Sequence, residues 1–313
     1  MKKFLYNIVY YPVYWWMYLH ALLPLRVLYI LSDLLYVIVY KAVGYRLKVV
    51  RNNLQDSFPE KTKEERRKIE RDFYRHFCDY FVETVKLLHI SDKTMQQHMQ
   101  FENVDLVKDL MKGGNSCLMF LGHYGNWEWV PSINLHFENN ELLGQIYKPL
   151  KNKAIDDIFL KIRSRFGSLG IPKNSTFRTI INLRRQRKQI LIGFMADQTP
   201  SINNIHYWTN FLNHDTPVFT GVERIAKQTG FSVVYLDIQK VKRGYYRASV
   251  SLISDKPKDE PEFAITERYV QAMEKTILRN PAYWLWTHKR WKRTREEVAK
   301  LQEQNKYVNH KDE

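Results

Sequence analysis

The sequence of 313 residues contains only two cysteines, and this scarcity excludes two classes of protein. Two thiols can neither hold together a disulfide-stapled miniature domain nor form a four-cysteine zinc site. Also missing are a glycine-rich phosphate loop, the Gly-x-Gly-x-x-Gly fingerprint of dinucleotide binding and the Gly-x-Ser-x-Gly nucleophile elbow. Long apolar runs occur only near the amino terminus, and the mean hydropathy is −0.47, which excludes a polytopic membrane protein.

The charge is strongly positive. Lysine and arginine number 49 against 33 acidic residues, which gives a formal net charge of +16, and 14% of the residues are aromatic. Such a charge favours an anionic partner: nucleic acid, an anionic membrane surface, a phosphorylated substrate or an acidic protein. No nucleic-acid motif with basic residues at the required spacing is present, so we expect no nucleic-acid partner. A non-enzymatic basic module for nucleic acid or membrane stays as a remote alternative.

The amino-terminal residues predict membrane attachment. No charged side chain occurs from Phe4 to Leu25, a length that just reaches the roughly 20 apolar residues of a spanning helix. Pro12 and Pro24 interrupt the run, and its many tyrosines and tryptophans prefer the headgroup region. Three arrangements stay open: a single span, a shallow interfacial anchor and a buried helix pair. We expect residues 1–45 to be a hydrophobic anchor.

The rest of the chain alternates between helix and strand patterns. Thr62 and Glu65 have the spacing of a capping box, and apolar residues keep helical spacing over 62–89. Short apolar runs predict buried strands, and Gly244 marks a hairpin turn. We expect an α/β fold with a mixed β-sheet flanked by helices, a main domain over 46–295 and a polar tail over 296–313. Residues 199–218 are predicted to form a loop. The predicted strands are 116–122, 141–147, 168–172, 189–198 and the two arms of the hairpin.

One loop has the residue types of an acid–base site. His123 follows the strand predicted at 116–122, and ligands of α/β sheets bind at the carboxyl ends of strands. Glu128 lies five residues later, and a turn between loop and helix would let its carboxylate reach the imidazole. A carboxylate there would fix the histidine tautomer and stabilise the imidazolium, as in a general base. The His-x4-Glu spacing by itself is weak, because it also occurs by chance.

The segment GHYGNWEW resembles the His-x4-Asp/Glu motif of glycerolipid acyltransferases, in the form used by the lipid A biosynthesis acyltransferases. Five further blocks resemble this family in the same order, so the likeness covers about residues 1–295 and is strongly specific. These blocks are RNNLQDSFPEKTKEERRKI, YKPLKN at 147–152, MADQTP at 195–200, the segment 219–230 and NPAYWLWTHKRWKRTR at 280–295.

The resemblance implies an enzyme that transfers an acyl chain from a thioester, usually of acyl carrier protein, to a hydroxyl of a lipid A precursor. The implied place is the cytoplasmic face of the bacterial inner membrane, with no cofactor or metal. His123 would deprotonate the hydroxyl, Glu128 would orient it, and Lys148 or backbone donors would stabilise the oxyanion. The implied partners are acyl carrier protein, an anionic glycolipid and membrane lipids. The implied substrate-binding residues are Asn126, Lys148, Asn152, Asp197 and Gln198.

Two departures from the family pattern leave the acceptor open. The family arginine of the Tyr-Arg-Pro block is Lys148, which keeps the charge but loses the two-pronged fork. The third position of the Asp-Gln-Asp block is Thr199. These differences suggest a divergent branch, so an acyltransferase for another lipid, such as an aminolipid or a lysophospholipid, is the second hypothesis. His206, His214 and Asp215 lack a metal-ligand spacing, and we expect no metal there.

Overall fold

The structure, a computed structural model, describes residues 2–137 and 141–309. Its β-strands are β1 (Met99–Glu102), β2 (Cys117–Leu121), β3 (Glu141–Tyr147), β4 (Leu169–Pro172), β5 (Gln189–Met195), β6 (Tyr207–Phe211), β7 (His214–Val218), β8 (Ser232–Lys242) and β9 (Tyr245–Ser254). Its α-helices are α1 (Lys2–Leu22), α2 (Leu25–Tyr36), α3 (Leu47–Ser57), α4 (Lys63–Lys86), α5 (Asp92–His98), α6 (Val104–Met111), α7 (Lys153–Arg163), α8 (Thr176–Arg185), α9 (Gly221–Thr229), α10 (Ala264–Arg279) and α11 (Arg295–Asn309).

Seven of these strands form one sheet in the order β1-β9-β8-β2-β5-β3-β4. β8, β2, β5, β3 and β4 pair in parallel, whereas β9 runs antiparallel to β8 and pairs in parallel with β1. Every residue of β2 is buried, as expected for a central strand that is covered by helices on both faces. The mixed α/β sheet predicted from the sequence is confirmed, including the β8–β9 hairpin around Arg243 and Gly244. The predicted division of the chain into anchor, main domain and tail stays a prediction.

The long amphipathic helix is α4, and its start is fixed locally. The Thr62 hydroxyl accepts a hydrogen bond from the amide of Glu65, whose carboxylate accepts one from the Thr62 amide, which completes the predicted capping box. The apolar face of α4, with Phe73 and Phe77, packs into the central core, while α1 and α2 cross its outer side. This helix therefore lies between the amino-terminal segment and the sheet.

The prediction of a loop at 199–218 is wrong in part. β6 and β7 form a separate antiparallel hairpin, with Phe211 paired to His214 across a two-residue turn. Leu212 and Asn213 both have positive φ, 52° and 65°, as a turn matching the twist of a hairpin requires. Because Leu-Asn is not one of the usual glycine-containing turn pairs, the sequence signal for a hairpin is weak at this point.

The amino-terminal segment folds as two helices that meet at a sharp bend. No single helix in the described ranges is long and apolar enough to cross a membrane. Tyr6–Leu22 and Leu25–Ala42 pass the same test of length and composition only together, as a pair bent by 120°. Pro24 lies at the bend, where its fixed φ suits the start of the second helix. Of the three arrangements predicted for the amino-terminal residues, the single span is therefore not present as one straight helix.

A buried carboxylate on α4 binds the β8–β9 hairpin to α2. Asp79 is 3% exposed and accepts a hydrogen bond of 2.8 Å from the hydroxyl of Ser32 on α2. It also forms ion pairs with Arg243 Nη2 at 2.7 Å and with Lys240 Nζ at 3.3 Å, and Arg243 reaches Asp33 at 2.7 Å. Three elements that are distant in the chain therefore share one buried charge.

A second carboxylate, one turn further along α4, binds the loop that carries His123. Glu83 is fully buried and accepts hydrogen bonds from Tyr29 on α2 at 2.9 Å, from Tyr246 on β9 at 2.8 Å and from Asn126 at 2.7 Å. Burial raises the pKa of Glu83 above its usual value, against the attraction of Lys240. Three donors are thus arranged around this buried carboxylate.

We predict that Arg243→Ala destabilises the protein by about 2–3 kcal/mol, because Asp79 keeps its burial but loses its strongest partner. Arg295→Ala is the matched control, since Arg295 pairs with Asp215 where both side chains are about half exposed. The control should cost less than about 1 kcal/mol. The measurement is the free energy of unfolding in urea for both variants, and equal losses would contradict the assignment of a structural role to the buried pair.

Candidate active site

The register of two neighbouring parallel strands brings His123 next to Asp197. Leu121, the last residue of β2, lies opposite Met195, the last residue of β5. His123 and Asp197 each follow two residues later, so both side chains leave the sheet at the same edge. This is the carboxyl edge, where α/β proteins bind their ligands.

Asp197 binds His123 at two points. Its Oδ1 lies 2.8 Å from Nδ1 of the imidazole, and its Oδ2 accepts a hydrogen bond of 3.0 Å from the main-chain amide of His123. The indole Nε1 of Trp284 donates a third bond, 2.8 Å long, to the same Oδ2. The Asp197 side chain is 2% exposed and that of His123 is 17% exposed, so the carboxylate is enclosed while the imidazole reaches solvent.

Asp197 is held ionised. Burial alone would raise the pKa of Asp197, but the attraction of His123 and the hydrogen bonds from His123 and Trp284 outweigh it and lower the pKa to about 2. An ionised carboxylate accepts hydrogen bonds only, so the proton of the neutral imidazole is placed on Nδ1. The other nitrogen, Nε2, is then free to accept a proton, which is the tautomer that a general base requires.

Gln198 and Trp127 line the open side of the imidazole. The side-chain nitrogen of Gln198 lies 3.3 Å from Nε2 of His123. The ring of Trp127 meets the imidazole edge-on with 5.2 Å between ring centroids, and its other side packs on Tyr80 at 4.2 Å. Gln198, predicted as a substrate-binding residue, is thus within hydrogen-bond distance of the exposed side of the His123 ring.

The predicted pairing of Glu128 with His123 is not the arrangement in the structure. Both oxygens of Glu128 bind Arg163, at 2.7 Å and 2.9 Å, and one of them also accepts a bond of 3.2 Å from Tyr80. The reason is the local backbone: after His123 the chain turns into a 3-10 helix, and the Glu128 side chain enters the interior, 2% exposed, toward the end of α7. Asp197 occupies the position beside the imidazole instead.

Asn126 holds the turn after His123 and is not exposed to a substrate. Its side chain is fully buried: the oxygen accepts a bond from the amide of Trp129 at 3.2 Å, and the nitrogen donates to Glu83. We therefore reassign it from substrate binding to capping the 3-10 helix. Gly125 has a φ of +60°, and a Cβ atom there would lie 2.7 Å from Ile238, so the turn requires glycine.

Two predicted substrate-binding residues lie on the loop after β3. Lys148 directly follows this strand, is exposed and has no ion-pair partner among the described residues. Asn152 caps α7, because its side-chain oxygen accepts bonds from the amides of Ala154 and Ile155 at 3.0 Å and 3.3 Å. Asn152 thus shapes the loop, whereas the side chain of Lys148 is exposed to solvent.

Thr199 connects the loop after β5 to the carboxy-terminal block. Its amide lies 3.2 Å from Nε2 of His288, and its hydroxyl donates to the carbonyl of Arg290 at 2.5 Å. Burial is the main reason that the pKa of His288 falls to about 4, so this ring is neutral and accepts the Thr199 amide. Thr199, at the third position of the Asp-Gln-Asp block, therefore makes a structural contact with His288 of the carboxy-terminal block.

His214 and Asp215, two of the three residues without a metal-ligand spacing, have other partners. The ring of His214 stacks on Trp291 with 3.9 Å between centroids, and Asp215 pairs with Arg295. Within residues 2–137 and 141–309, no group of three or more His, Cys, Asp or Glu side chains is arranged to hold a metal ion.

A narrow apolar cleft lies next to Trp127, whose ring contacts the imidazole of His123; its empty space is about 480 Å³ when the open solvent at its mouth is included. It lies between the 3-10 helix Trp127–His136 and strands β2, β3 and β5, and the ring of Trp127 forms one wall. Gly193 on β5 shares the face of Met119 and Leu121, and its lack of a side chain keeps this space open. The other lining residues are mainly apolar, including Leu121, Val130, Leu143 and Met195.

Two residues of the site were missed from the sequence. Trp284 lies in the NPAYWLW block and binds Asp197, so its place in a resembling block was an available signal. Arg163, the partner of Glu128, lies on α7 within the segment KIRSR, where nothing distinguishes it from a solvated helix face. Only the packing of α7 against the 3-10 helix brings it to Glu128.

A histidine–aspartate pair beside an apolar cleft, at the strand ends of an α/β sheet, fits the class of enzymes that act on fatty acyl groups. The family model described as bacterial lipid A biosynthesis acyltransferase matches residues 1–293. The chain therefore belongs to this family and is an O-acyltransferase.

Individual relatives are distant but extend over most of the chain. The chain is 22% identical over 300 residues to the lipid A biosynthesis palmitoleoyltransferase of Escherichia coli (strain K12), a match that covers 90% of this chain and 92% of the relative. It is 24% identical over 251 residues to the lipid A biosynthesis acyltransferase of Haemophilus influenzae, which covers 79% of this chain and 78% of the relative. At such identity the family is shared, while substrate details can differ.

The lowered pKa of Asp197 predicts a pH-dependent contribution to stability. Because its pKa is about 2 in the folded chain against an ordinary 3.8, the ionised carboxylate stabilises the fold above pH 4. That contribution, about 2 kcal/mol, is lost as the pH falls from about 4 to about 2. Free energies of unfolding of the wild type and Asp197→Asn, measured between pH 7 and pH 3, should differ most at the upper end.

Val130→Ala is the control for this experiment, since it removes apolar contacts beside the cleft without changing a titratable group. Its cost should stay the same over the pH range. A constant difference between the wild type and Asp197→Asn down to pH 3 would disagree with an ionised, hydrogen-bonded Asp197.

Proposed function

We propose that the protein transfers a fatty acyl chain from an acyl thioester, carried by acyl carrier protein, to a hydroxyl of a lipid A precursor. The observation that carries the proposal is the His123–Asp197 pair, whose free Nε2 opens toward solvent beside the apolar cleft. Family membership supports acyl transfer to lipid A. The donor, the acceptor position and the base are the proposed parts.

The reaction follows from the arrangement of the pair. His123 Nε2 takes the proton of the acceptor hydroxyl, and Asp197 stabilises the imidazolium that results. The hydroxyl oxygen attacks the thioester carbonyl carbon, forming the new C–O bond. When the tetrahedral intermediate collapses, the C–S bond breaks, the sulfur leaves as thiolate and the imidazolium returns the proton to it. No serine or cysteine nucleophile and no cofactor takes part.

The acyl chain and the charged parts of the substrates have separate places in this proposal. The apolar cleft takes the acyl chain, because its walls are apolar and it opens next to Trp127, whose ring contacts the imidazole. Lys148, exposed and unpaired, contacts an oxyanion or a phosphate of the acceptor. Gln198 orients the hydroxyl near Nε2 of His123. Asn152 acts by capping α7, which shapes the loop that carries Lys148.

The charge of the chain supports the proposed partners. A net charge of +16 suits an acidic carrier protein, a phosphorylated glycolipid and an anionic membrane surface. We propose that the enzyme works at the cytoplasmic side of the bacterial inner membrane, because a lipid acceptor must be reached at the bilayer. Residues 1–45 would provide the attachment, and residues 46–295 the catalytic domain.

A second function is an acyltransferase for another bacterial lipid, such as an aminolipid or a lysophospholipid. The observation that favours it is Lys148, which stands where the family has an arginine. A lysine ammonium is a point charge and cannot make the two-pronged contact of a guanidinium with a phosphate or carboxylate. An acceptor with a different headgroup would explain this difference.

We predict that deletion of the gene removes one acyl-chain mass from lipid A, and that the wild-type gene restores it while His123→Ala does not. Asp197→Asn should also fail, with kcat lowered by about a thousandfold or more, because the imidazole loses the partner that fixes its tautomer. The measurement is mass spectrometry of lipid A from the four strains. An unchanged lipid A pattern, with a missing aminolipid or lysophospholipid product, would favour the second function.

Variants of Glu128 and Arg163 distinguish two possible partners of the Glu128 carboxylate, Arg163 and His123. If Glu128 acts through Arg163, then Glu128→Gln, Arg163→Gln and the double variant should lose similar amounts of kcat/KM, because the pair works as a unit. If Glu128 acts on His123 directly, Arg163→Gln should retain activity while Glu128→Gln loses it. Thermal unfolding of each variant shows whether a loss of activity reflects a loss of folded protein.

We predict that Gly193→Leu shortens the acyl chain that the enzyme accepts. A Cβ atom at this position would lie 3.5 Å from the nearest Leu121 atom, an ordinary contact, so the added branches extend into the cleft rather than into the backbone. The ratio of kcat/KM for a short and a long acyl donor should rise by about tenfold or more, since each excluded methylene costs roughly 1 kcal/mol. Gly193→Ala is the control and should change the ratio little. An unchanged ratio in Gly193→Leu would place the acyl chain elsewhere.

A further inference from the structure

The amino-terminal helix pair has an exposed apolar face. Of the twenty large apolar side chains that are exposed in the described residues, thirteen lie between Ile8 and Tyr45. Along α1 and α2 they recur at intervals of three or four residues, which places them on one side of each helix. We name this set the apolar stripe: Ile8, Tyr11, Trp15, Trp16, Leu19 and Leu22 on α1, and Val27, Ile30 and Leu34 on α2.

The opposite face of the pair is packed against the main domain. On α1, Met17 and Ala21 are 8% and 0% exposed, and on α2, Leu28 and Ser32 are both 1% exposed. α1 lies against α7 and α4, and α2 lies against α4. α1 and α2 therefore each have two largely apolar sides. On each helix, protein covers one side and leaves the other exposed.

Polar contacts hold the packed face in place. Tyr6 on α1 donates to Asp157 on α7 at 2.9 Å, and Lys161 of α7 donates to Tyr14 at 2.9 Å. Lys86 of α4 donates to the carbonyls of Ala21 and Leu23, at 2.7 Å and 2.9 Å, which caps the end of α1. A helix that crossed a bilayer would have to leave these partners behind and surround itself with lipid.

The composition of the stripe indicates lipid rather than protein as its partner. It contains Trp15, Trp16 and Tyr11, the residue types that prefer the boundary between headgroups and hydrocarbon. Arg26 and Lys41 are exposed near the two ends of α2 and have no ion-pair partner among the described residues. Aromatic and aliphatic residues on one face with basic residues at the edges are the features of helices that lie in an anionic membrane surface.

We propose that α1 and α2 dock in the plane of one leaflet of an anionic bilayer, with the apolar stripe among the lipids and the opposite face on the catalytic domain. This inference takes one premise from the proposed function, namely that the acceptor lies in the membrane. Tyr6 contacts Asp157 near the start of α7, directly after the loop that carries Lys148. The docked α1 therefore begins close to the strand edge where the acceptor is bound.

The first experiment measures binding of the full chain to vesicles of phosphatidylethanolamine and phosphatidylglycerol by flotation. The variant Trp16→Ser/Leu19→Ser/Ile30→Ser removes three stripe side chains that are 60–68% exposed. Its partition coefficient should fall on the order of a hundredfold, because three large apolar groups no longer leave water. Wild-type binding should weaken with salt and in vesicles of phosphatidylcholine alone.

The matched control is Val241→Ser/Leu252→Ser/Leu278→Ser, whose side chains are 46–53% exposed outside the helix pair. This control should bind vesicles as the wild type does. Both triple variants should keep normal acyl transfer in detergent micelles, since none of the six residues belongs to the active site. Equal binding by the stripe variant and the control overturns the docking proposal. Normal binding without any acyl transfer by the wild type overturns the proposed function instead.

The second experiment distinguishes a helix lying in the leaflet from a helix that spans it. Single variants Tyr11→Cys, Trp15→Cys and Leu22→Cys carry a fluorescent label, while Cys78 and Cys117 are fully buried. Quenching by lipids with spin labels at known depths then reports each position. In-plane docking predicts one shallow depth for all three. A span predicts that Tyr11 and Leu22 differ by about 16 Å, from the helical rise, and that result overturns the proposal.

Discussion

The interaction on which the other features depend is the burial of two carboxylates on α4. Asp79 and Glu83 are removed from water, and each is surrounded by donors from distant parts of the chain. An unpaired carboxylate in the interior would cost more free energy than any single hydrogen-bond donor gains by pairing with it. The elements that supply the donors must therefore pack together. Through Glu83 this requirement reaches the turn after His123, because Asn126 is one of the donors.

Glu83 also connects the amino-terminal helix pair with the turn after His123. Tyr29 on α2 and Asn126, three residues after His123, bind the same side chain, Glu83. His76, also on α4, lies 3.1 Å from the carbonyl of Gly125, and burial with the nearby charge of Lys240 lowers the pKa of His76 well below its usual value. α4 therefore serves as the rigid element on which the helix pair and the active-site turn are both positioned.

The two carboxylates near His123 have other partners than the sequence predicted, which assigned Glu128 to the imidazole and Asp197 to substrate binding. Asp197 binds the imidazole and stays ionised, whereas Glu128 is turned inward and neutralises Arg163. The separation has a physical reason: a strand end leaves Asp197 opposite His123, while a 3-10 helix rotates Glu128 away from it. Asp197 thus orients the imidazole of His123, and Glu128 keeps a partly buried arginine beside the wall formed by Trp127 and Tyr80.

The sequence by itself determined the α/β class, the start of α4 through its capping box and the hairpin at Gly244. It also selected His123, Asp197 and Gln198, which the structure brings together. These depend on local periodicity, on caps and turns and on motif blocks, which act over a few residues. The partner of His123 could not be decided in this way, because it depends on the pairing of β2 with β5, which are about 70 residues apart in the chain. The burial of Asn126, the Glu128–Arg163 pair and the β6–β7 hairpin were likewise decided by tertiary packing. Only packing also showed that one face of the apolar amino terminus is covered by protein and the other is exposed.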